Sequence, residues 1–469
     1  MKVGFSEIII TPDLVNHKRK LQLAGYSPRK YCSGIHDDLY ARAVYFEGKT
    51  DDIRTHVLMI VCDILYLNGT FANLIKKYIS RSIPIATENI LISATHTHHG
   101  PDYSGIFRKG GHLGIMRGII SPNPLPKELF FLGKNLVKVA KDAYKNKQNA
   151  KLGATQVHIH EKDRIIINRR DIFNYNKANY PLTVIKLIKE NGELLGLILN
   201  YACHGTVLPY QNTLITADYV GYVIKTLEND YPELKGNIIY FNGPCGEINP
   251  LTLTLKMKME KFGPKGVKNR DIYLQRGTFN DAKHIGGTIA RYVLKNVDNI
   301  DCYAYENFFS KQESICIPVK DYDYGSDIIS AFRRLFYKRK LKLFALLKKG
   351  GLLKTTIFFK VDNSDIKSGA YVNTLIQVIN IGTILIMAVP GEYFMELGNE
   401  VINYAKNIFP SKISFMIELA NDSVGYLYTI EAYREGGYES AFSVIPLGGR
   451  FIAMKLKQLI RKNFLDFSI

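Results

Sequence analysis

His56-Val57-Leu58-Met59-Ile60-Val61-Cys62 is an unbroken apolar run with the length and the β-branched content of a buried strand. After it, five apolar residues recur at i, i+3, i+4, i+7 and i+8, namely Phe71, Leu74, Ile75, Tyr78 and Ile79. This spacing predicts an amphipathic helix. The run Asn89-Ile90-Leu91-Ile92-Ser93-Ala94 then predicts a second strand, which completes a βαβ-like unit and indicates an α/β architecture.

The same alternation of apolar runs and helical patterns continues along the chain. Further strands are predicted at 196–201, 237–241, 383–389 and 412–419, and helices at 132–143, at 220–227 and from about Glu392 to Ile408. We therefore predict an α/β fold over residues 1–469. It is a single large mixed-sheet domain with helices on its faces, loop insertions, and a site at the carboxyl ends of the strands.

Two segments are predicted to be loop insertions over that site. Residues 104–128 and 254–280 are rich in Gly, Lys and Pro and carry little periodicity. No Pro-, Gly- or Ser-rich linker divides the 469 residues, of which 46% are hydrophobic. The composition therefore favours one large core over several small ones.

Cysteine usage and the N-terminal residues bear on the cellular compartment. The six cysteines form no CxxC pair and no dense framework, which favours reduced thiols over disulfides. The N-terminal residues lack the pattern of a signal peptide. No apolar run comes close to the length of a membrane-spanning helix, which is at least about 18 residues. We expect a cytoplasmic protein, with peripheral membrane contact left open.

The chain is strongly basic, with 62 Lys and Arg against 43 Asp and Glu and a formal net charge of +19. This charge favours anionic partners such as a membrane surface; the alternative is a lysine-rich composition inherited from an AT-rich genome. Residues 333–354 combine basic side chains with Leu and Phe. They are predicted either to lie on an anionic membrane or to form a surface helix that packs on the domain. We do not expect nucleic acid as a partner.

Polar residues that can bind a metal follow the carboxyl ends of five of the apolar strands. Because ligands of open α/β sheets gather at that edge, we expect these residues to converge. In the first set, His96 and His98 are two residues apart, so they project to the same face of an extended backbone. Two neutral imidazoles on one face predict a zinc site, and the alternative is a pair of incidental loop histidines.

The second and third sets follow the next two strands. His204 is either a metal ligand or a buried core histidine. Glu247 and Asn249 lie in a loop rich in Gly and Pro, as residues of the site or as exposed turn residues. Each residue taken alone leaves both interpretations open.

The fourth and fifth sets come late in the chain. Glu392 is expected near a helix N-terminus, where the helix dipole favours a carboxylate whether or not a metal is bound. Tyr426 ends the fifth set, and Tyr433 and Tyr438 follow it. In a chain with 30 tyrosines, packing is the ordinary role of such residues.

Taken together, the five sets resemble the ordered motifs of the neutral, non-lysosomal ceramidases. The resemblance spans roughly residues 3–455. It is carried by the following stretches: Gly34-Ile35-His36 with Ala41-Arg42-Ala43, Thr95-His96-Thr97-His98-His99-Gly100-Pro101, Ile167-Asn168-Arg169, His204-Gly205-Thr206, Leu214 to Tyr222, Pro390-Gly391-Glu392, and Gly425-Tyr426 with Tyr433 and Tyr438.

This resemblance implies a function and the residues that perform it. Members of the family hydrolyse ceramide to sphingosine and fatty acid. Carried over to this sequence, the family pattern implies four Zn²⁺ ligands, which are His96, His204, Glu392 and Tyr426. It also implies that His98 and Arg169 contact the substrate carbonyl and head group, with Tyr438 in support. Such a site would act through metal-activated water.

Two departures from the family pattern leave alternatives open. Asn249 stands where the well-studied ceramidases have a Ser, so a covalent serine mechanism is excluded there and Asn249 is expected to act as a hydrogen-bonding group. The signal peptide and the C-terminal immunoglobulin-like domain of secreted ceramidases are not found in these residues. Three further hypotheses therefore remain. They are a zinc hydrolase of a soluble amide or ester, a non-catalytic basic protein that binds membranes or polyanions, and a thiol enzyme that uses Cys203 or Cys245.

Overall fold

The computed structural model of the protein describes most of the chain. The described residues are 1–14, 21–26, 30–50, 53–107, 126–171, 178–263, 267, 271–272, 276–306, 308–318, 357–360, 369–443 and 445–463. The predicted membrane-contact segment 333–354 lies outside them, as does most of the predicted loop 104–128.

The strands are distributed over the whole described chain. In chain order they are β1 (Lys2–Ile9), β2 (Gly34–Ile35), β3 (Tyr40–Thr50), β4 (Ile53–Cys62), β5 (Ile90–Ala94), β6 (Gln148–Val157), β7 (Ile166–Asn168), β8 (Leu182–Lys189), β9 (Leu194–Tyr201), β10 (Leu214–Ile215), β11 (Ile238–Asn242), β12 (Ile248–Pro250), β13 (Phe308–Pro318), β14 (Ile357–Lys360), β15 (Gly369–Ile381), β16 (Ile384–Ala388), β17 (Glu392–Tyr393), β18 (Ile413–Ile417) and β19 (Tyr426–Leu427).

The α-helices alternate with these strands. In chain order they are α1 (Gly69–Ser82), α2 (Pro126–Lys145), α3 (Asp218–Asp230), α4 (Leu253–Phe262), α5 (Phe279–Val297), α6 (Met395–Ile408), α7 (Ile430–Glu435), α8 (Tyr438–Phe442) and α9 (Gly448–Lys462). None of them is both long enough and apolar enough to cross a lipid bilayer.

Two mixed sheets organise the fold. The larger has eight strands in the order β11-β9-β8-β6-β1-β3-β4-β5, and only its two outermost pairs are parallel. The smaller has the order β13-β15-β16-β18, and β14 also pairs with β15. The predicted α/β class with a large mixed sheet is confirmed, and the second sheet is an addition that the sequence patterns did not indicate.

The two sheets pack face to face, and helices cover their outer faces. Successive side chains of β16 point to opposite faces of the smaller sheet. Ile384 and Ile386 face the core between the two sheets, whereas Leu385 and Met387 face the core under the helices. Helices α1 and α2 cover the β3–β5 end of the larger sheet, and α3 and α5 cover its β8–β11 end. Helices α6 and α9 cover the smaller sheet.

The larger sheet curls so that its two edges approach each other. Strand β11 at one edge contacts β4 and β5 at the other. The chain after β18 links the edges, because the Glu418 amide donates to the Asn242 carbonyl and the Asn421 amide donates to the Ile92 carbonyl. The carboxyl ends of β5 and β9 therefore meet, although five strands lie between them in the sheet order.

Two local predictions were wrong. Residues 253–262 form helix α4, which Thr252 caps by accepting from the Leu255 amide, so the first part of the predicted loop 254–280 is helical. Glu392 does not begin a helix, because it lies in β17 and α6 starts at Met395. The carboxylate at the N-terminus of α6 belongs to Glu247, which accepts from the Met395 amide at 3.0 Å.

Candidate metal centre

His96 lies just after β5 in a strained backbone conformation. Its φ of 66° is in the left-handed region, which non-glycine residues rarely adopt. Its amide donates to the Ile64 carbonyl, and Nδ1 of its ring lies 2.9 Å from the Leu65 carbonyl. Gly205 packs against the same residue, since a Cβ there would lie 2.3 Å from the His96 carbonyl oxygen. The Leu65 carbonyl therefore orients the His96 ring, and Gly205 packs closely on the His96 backbone.

His204 follows β9, and its ring meets that of His96 where the two ends of the larger sheet approach each other. Its Nδ1 lies 3.0 Å from the Cys245 carbonyl. A carbonyl oxygen only accepts, so Nδ1 carries the ring proton in both histidines and Nε2 presents a lone pair. The two Nε2 atoms are 3.0 Å apart and both rings are buried.

Glu392 and Tyr426 face each other in the short parallel ladder of β17 and β19. Oε2 of Glu392 lies 3.4 Å from Nε2 of His96 and 3.5 Å from Nε2 of His204, and it has no hydrogen-bond partner. The Tyr426 phenol hydrogen-bonds Glu392. Burial raises the pKa of Tyr426 well above 10, and the Glu392 carboxylate raises it further.

These donor atoms fit a bound divalent metal ion. With both rings neutral and protonated on Nδ1, two imidazole lone pairs and a carboxylate oxygen converge, an arrangement that is repulsive unless a cation lies among them. A tetrahedral zinc site with bonds of about 2.0–2.1 Å has ligand atoms about 3.3 Å apart. The observed separations of 3.0, 3.4 and 3.5 Å bracket that value.

His98 also belongs to the cluster. One ligating atom from each of His96, His98 and His204 can be chosen so that all lie within 4.8 Å of one another. The Nε2 atom of His98 is 3.4 Å from that of His96, but no carbonyl holds its Nδ1, unlike in the other two rings. Burial lowers the pKa of His98 well below 6.5, and the two neighbouring histidines lower it further. His98 is therefore a neutral imidazole that presents an N–H and a lone pair.

A loop before β2 forms a wall against His98. A Cβ on Gly25 would lie 2.6 Å from the His98 ring, so the backbone itself packs on the imidazole. The ring of Tyr26 stands 4.9 Å from that of His98, and Lys30 lies 4.8 Å from the Tyr26 ring. Lys30 is buried, and burial lowers the pKa of its amine to about 7. No pattern in the sequence pointed to Lys30.

Arg169 brings a fixed positive charge beside the cluster. Its Nε donates to Glu439 at 2.7 Å, Nη1 donates to Asn249 at 3.0 Å, and Nη2 donates to the Gly246 carbonyl. The guanidinium carbon lies 5.5 Å from the centre of the Tyr426 ring and 5.8 Å from that of Tyr438. These anchors hold a buried cation next to the phenols of the site.

Asn249 and Tyr438 take different positions around this arginine. Oδ1 of Asn249 accepts from Arg169 and its Nδ2 donates to the Ile272 carbonyl at 3.1 Å, so Asn249 orients the arginine. Tyr438 is 43% exposed, and its ring stands 5.8 Å from that of Tyr426. Tyr438 therefore lies at the solvent side of the cluster.

Two buried carboxylates lie beside the site, and the sequence patterns had pointed to Glu247 but not to Glu418. Glu418 accepts from the Cys245 and Tyr393 amides, and burial raises the pKa of its carboxyl to about 7. Burial likewise raises the pKa of Glu247 to about 8. An acidic residue after an apolar strand is too common a pattern to have identified Glu418.

The cysteines beside the site do not have the character of nucleophiles. Cys203 and Cys245 are fully buried, and burial raises the pKa of both thiols well above 9. The Cys245 thiol donates to Glu418 at 2.9 Å. Because the thiolate is the reactive form, these thiols argue against the thiol-enzyme hypothesis.

The structure thus brings the eight sequence-predicted site residues into one neighbourhood. His96, His204 and Glu392 point their donor atoms at one another. Tyr426 hydrogen-bonds Glu392 and His98 lies against His96. The other three, Arg169, Asn249 and Tyr438, form the adjoining group. Which of these atoms bind a metal stays a prediction.

Comparisons with known proteins identify a family and several relatives that are named neutral ceramidases. The family described as neutral/alkaline non-lysosomal ceramidase, N-terminal, matches residues 2–238. The neutral ceramidase of Pseudomonas aeruginosa is 24% identical over 298 residues, which cover 61% of this chain and 42% of that protein. The neutral ceramidase of Drosophila melanogaster is 26% identical over 280 residues, covering 53% of this chain and 36% of the relative. Both alignments thus span less than half of the relative's length.

A solved structure shares the fold over the whole described architecture. The crystal structure of neutral ceramidase from Pseudomonas aeruginosa matches with a TM-score of 0.71 at 16% sequence identity, covering 100% of this chain and 74% of that chain. At this identity the match shows a common fold and carries no argument about substrate.

Proposed function

This chain belongs to the neutral/alkaline non-lysosomal ceramidase family, and from that premise we propose that it is a zinc-dependent hydrolase of the amide bond in ceramide or a related N-acyl lipid. One observation carries the proposal. The Nε2 lone pairs of His96 and His204 face each other at 3.0 Å beside the unpartnered oxygen of Glu392. Relatives named neutral ceramidases support amide hydrolysis as the reaction.

The reaction breaks the C–N bond of the amide. The oxygen of water goes to the acyl carbon and one of its protons goes to the nitrogen, which gives a carboxylic acid and an amine. A zinc ion held by His96, His204 and Glu392, with Tyr426 as the fourth ligand, would polarise the carbonyl and acidify a water molecule.

The protein's own groups would stabilise the charge that develops on the carbonyl oxygen. His98 is neutral, and its Nε2 lies 3.4 Å from Nε2 of the proposed ligand His96. The N–H of His98 would therefore be near enough to donate to the carbonyl oxygen of a substrate bound at the metal. The Arg169 guanidinium adds a positive charge at a fixed position, because it donates to the Glu439 carboxylate, the Asn249 side chain and the Gly246 carbonyl. Tyr438, at the solvent side, would contact the head group.

Asn249 would act through Arg169 rather than on the substrate. Its amide is engaged at both ends, by Arg169 and by the Ile272 carbonyl. We expect Asn249→Ala to lower kcat while the bound metal and KM change little, since an interaction made only in the transition state is lost. Asn249→Ala with an unchanged kcat would remove this role.

Metal content tests the centre directly. Mass spectrometry of the purified protein is expected to find about one zinc ion per chain, in line with a single four-ligand site, and to find none in His96→Ala or His204→Ala. His158→Ala is the matched control, because His158 is exposed and bonds Asn179 away from the cluster. Equal zinc in all four proteins would refute the centre.

Substrate class is tested with the same four proteins. N-acyl sphingosine in detergent micelles and a soluble short-chain anilide would be compared for release of free amine. Turnover of the micellar lipid that disappears with the metal supports the proposal. Turnover of the soluble amide alone would replace the lipid by a soluble substrate. Zinc binding without turnover of either would reject amide hydrolysis and keep the metal site.

A further inference from the structure

A groove on the surface lies between α6 and α9, away from the histidine cluster. Its volume is about 580 Å³, and its lining is mainly apolar, with Tyr404 from α6 and Leu447, Phe451 and Met454 from the start and body of α9. Arg450 and Arg461 are at its rim. No part of the proposed reaction uses this groove.

Helix α9 presents two different faces. Its inner face is apolar and buried, with Ile452, Leu456 and Ile460 in the core. On its outer face Leu447 is 53% exposed and Met454 is 45% exposed. Because Leu447, Phe451 and Met454 are spaced by three or four residues, they form one continuous stripe along the helix. We call these three residues the α9 stripe.

The charge on α9 has a single sign. The helix carries five basic residues and no acidic one, the basic residues being Arg450, Lys455, Lys457, Arg461 and Lys462. Glu400 of α6 accepts from both Arg450 and Lys457, and Glu313 pairs with Lys455 at 3.4 Å. Within the described chain no carboxylate pairs with Arg461 or Lys462, so an excess positive charge remains at the C-terminal end of α9.

We propose that the α9 stripe and its basic rim form a docking surface for an anionic phospholipid membrane. Exposed apolar side chains between basic ones on one helix face are the pattern of a helix that lies in the membrane interface. The positive charge complements anionic head groups, and the apolar groove provides room for a lipid chain. A nucleic acid would use the charges but leave Leu447 and Met454 without a role.

The α9 stripe lies on a helix that contacts the strands carrying two of the proposed metal ligands. Helix α9 packs against β19, which carries Tyr426, and the hydroxyl of Tyr393 in β17 donates to the Gly449 carbonyl of α9 at 2.9 Å. The inference rests on the proposed function in one respect, namely that a lipid substrate is presented at a membrane. Docking at the α9 stripe would therefore bring the membrane, which holds the lipid substrate, close to the strands that carry Glu392 and Tyr426.

Vesicle co-sedimentation tests docking without any requirement for metal or turnover, so its outcome is independent of the amidase proposal. The full chain would be mixed with vesicles of phosphatidylcholine alone or with added phosphatidylglycerol. We expect binding only with phosphatidylglycerol, weakened at least tenfold in the double variant Leu447→Ser/Met454→Ser and in Arg461→Glu/Lys462→Glu. Leu74→Ser on α1 is the control, because Leu74 is 48% exposed and thus matches the stripe residues.

Each alternative result is decisive. Equal binding by the stripe variant and the control would overturn the proposal, as would absence of binding to phosphatidylglycerol vesicles. If duplex DNA binds and the Leu447→Ser/Met454→Ser variant binds it as the wild type does while vesicles do not bind, the surface recognises polyanions instead.

Discussion

Replacing Glu439 by Gln removes the negative charge that holds Arg169 in place while keeping the shape of the side chain. Glu439 is fully buried and accepts from Nε of Arg169 and from Nη1 of Arg170, each at 2.7 Å. Arg169 is itself buried, so the substitution leaves a buried cation without its carboxylate. Breaking a buried pair in this way costs about 3–5 kcal/mol of unfolding free energy.

Glu435→Gln is the matched control. Glu435 also pairs with Arg170, at 2.9 Å, but its side chain is 67% exposed. An exposed pair of this kind contributes roughly 0–1 kcal/mol. Both carboxylates pair with Arg170, but only Glu439 is buried and only Glu439 also pairs with Arg169.

Equilibrium urea unfolding followed by circular dichroism and tyrosine fluorescence would measure both variants, since the chain has 30 Tyr and no Trp. Burial raises the pKa of Glu439, but the charge of Arg169 and the hydrogen bonds from Arg169, Arg170 and the backbone together lower it by more, so the folded-state pKa lies below 4.5. The stabilisation is therefore fully present above pH 4.5 and is lost as the pH falls through the folded pKa. Equal losses for the two variants at pH 7, or a difference that persists in strong acid, would refute this reasoning.

Three further predictions concern other sites. Burial lowers the pKa of Lys76 from 10.5 to about 7, so Lys76→Met should stabilise the protein below pH 7 by on the order of 4 kcal/mol. That gain should shrink as the pH rises from 7 to 10.5, where the folded amine is already neutral, and a gain independent of pH in urea unfolding would contradict it. In Gly205→Ala the new Cβ would lie 2.3 Å from the His96 carbonyl oxygen, so we expect loss of bound zinc by mass spectrometry; retained zinc would show that the backbone adapts. Cys245→Ala should keep turnover within about tenfold, because a buried thiol with a raised pKa is not a nucleophile; complete loss of turnover with zinc retained would restore the thiol mechanism.

Local patterns were sufficient for much of the fold, whereas the site residues were assigned their roles by the resemblance to a family pattern. Strands such as β4 and β5 follow from apolar runs, because burial on both sides leaves no position for a polar side chain. His96 and His204 became candidates because each follows such a run, and the family resemblance then implied that they are ligands. The start of α6 was misplaced by three residues because the two-residue strand β17 lies almost directly before the helix and is too short to carry a periodic pattern of its own.

Other parts of the site had no local signal. The pattern could not show that β11 curls towards β5, since sheet order depends on pairing between distant segments. Nor could it show that Glu247 caps α6, because the carboxylate and the Met395 amide are 148 residues apart. Lys30 and Glu418 were missed for the same reason, as their burial depends on what packs over them.

The sequence by itself determined the α/β class, the strands, and the chemical types that gather at their carboxyl ends. These properties depend on side-chain periodicity over a few residues, which the backbone geometry of a strand or helix imposes directly. Only the tertiary structure decided that Nε2 of His96 stands 3.0 Å from that of His204 and that Glu392 pairs with Tyr426 in a ladder. Those contacts join segments more than thirty and up to about three hundred residues apart, and the packing of whole sheets selects them from many chemically equivalent partners.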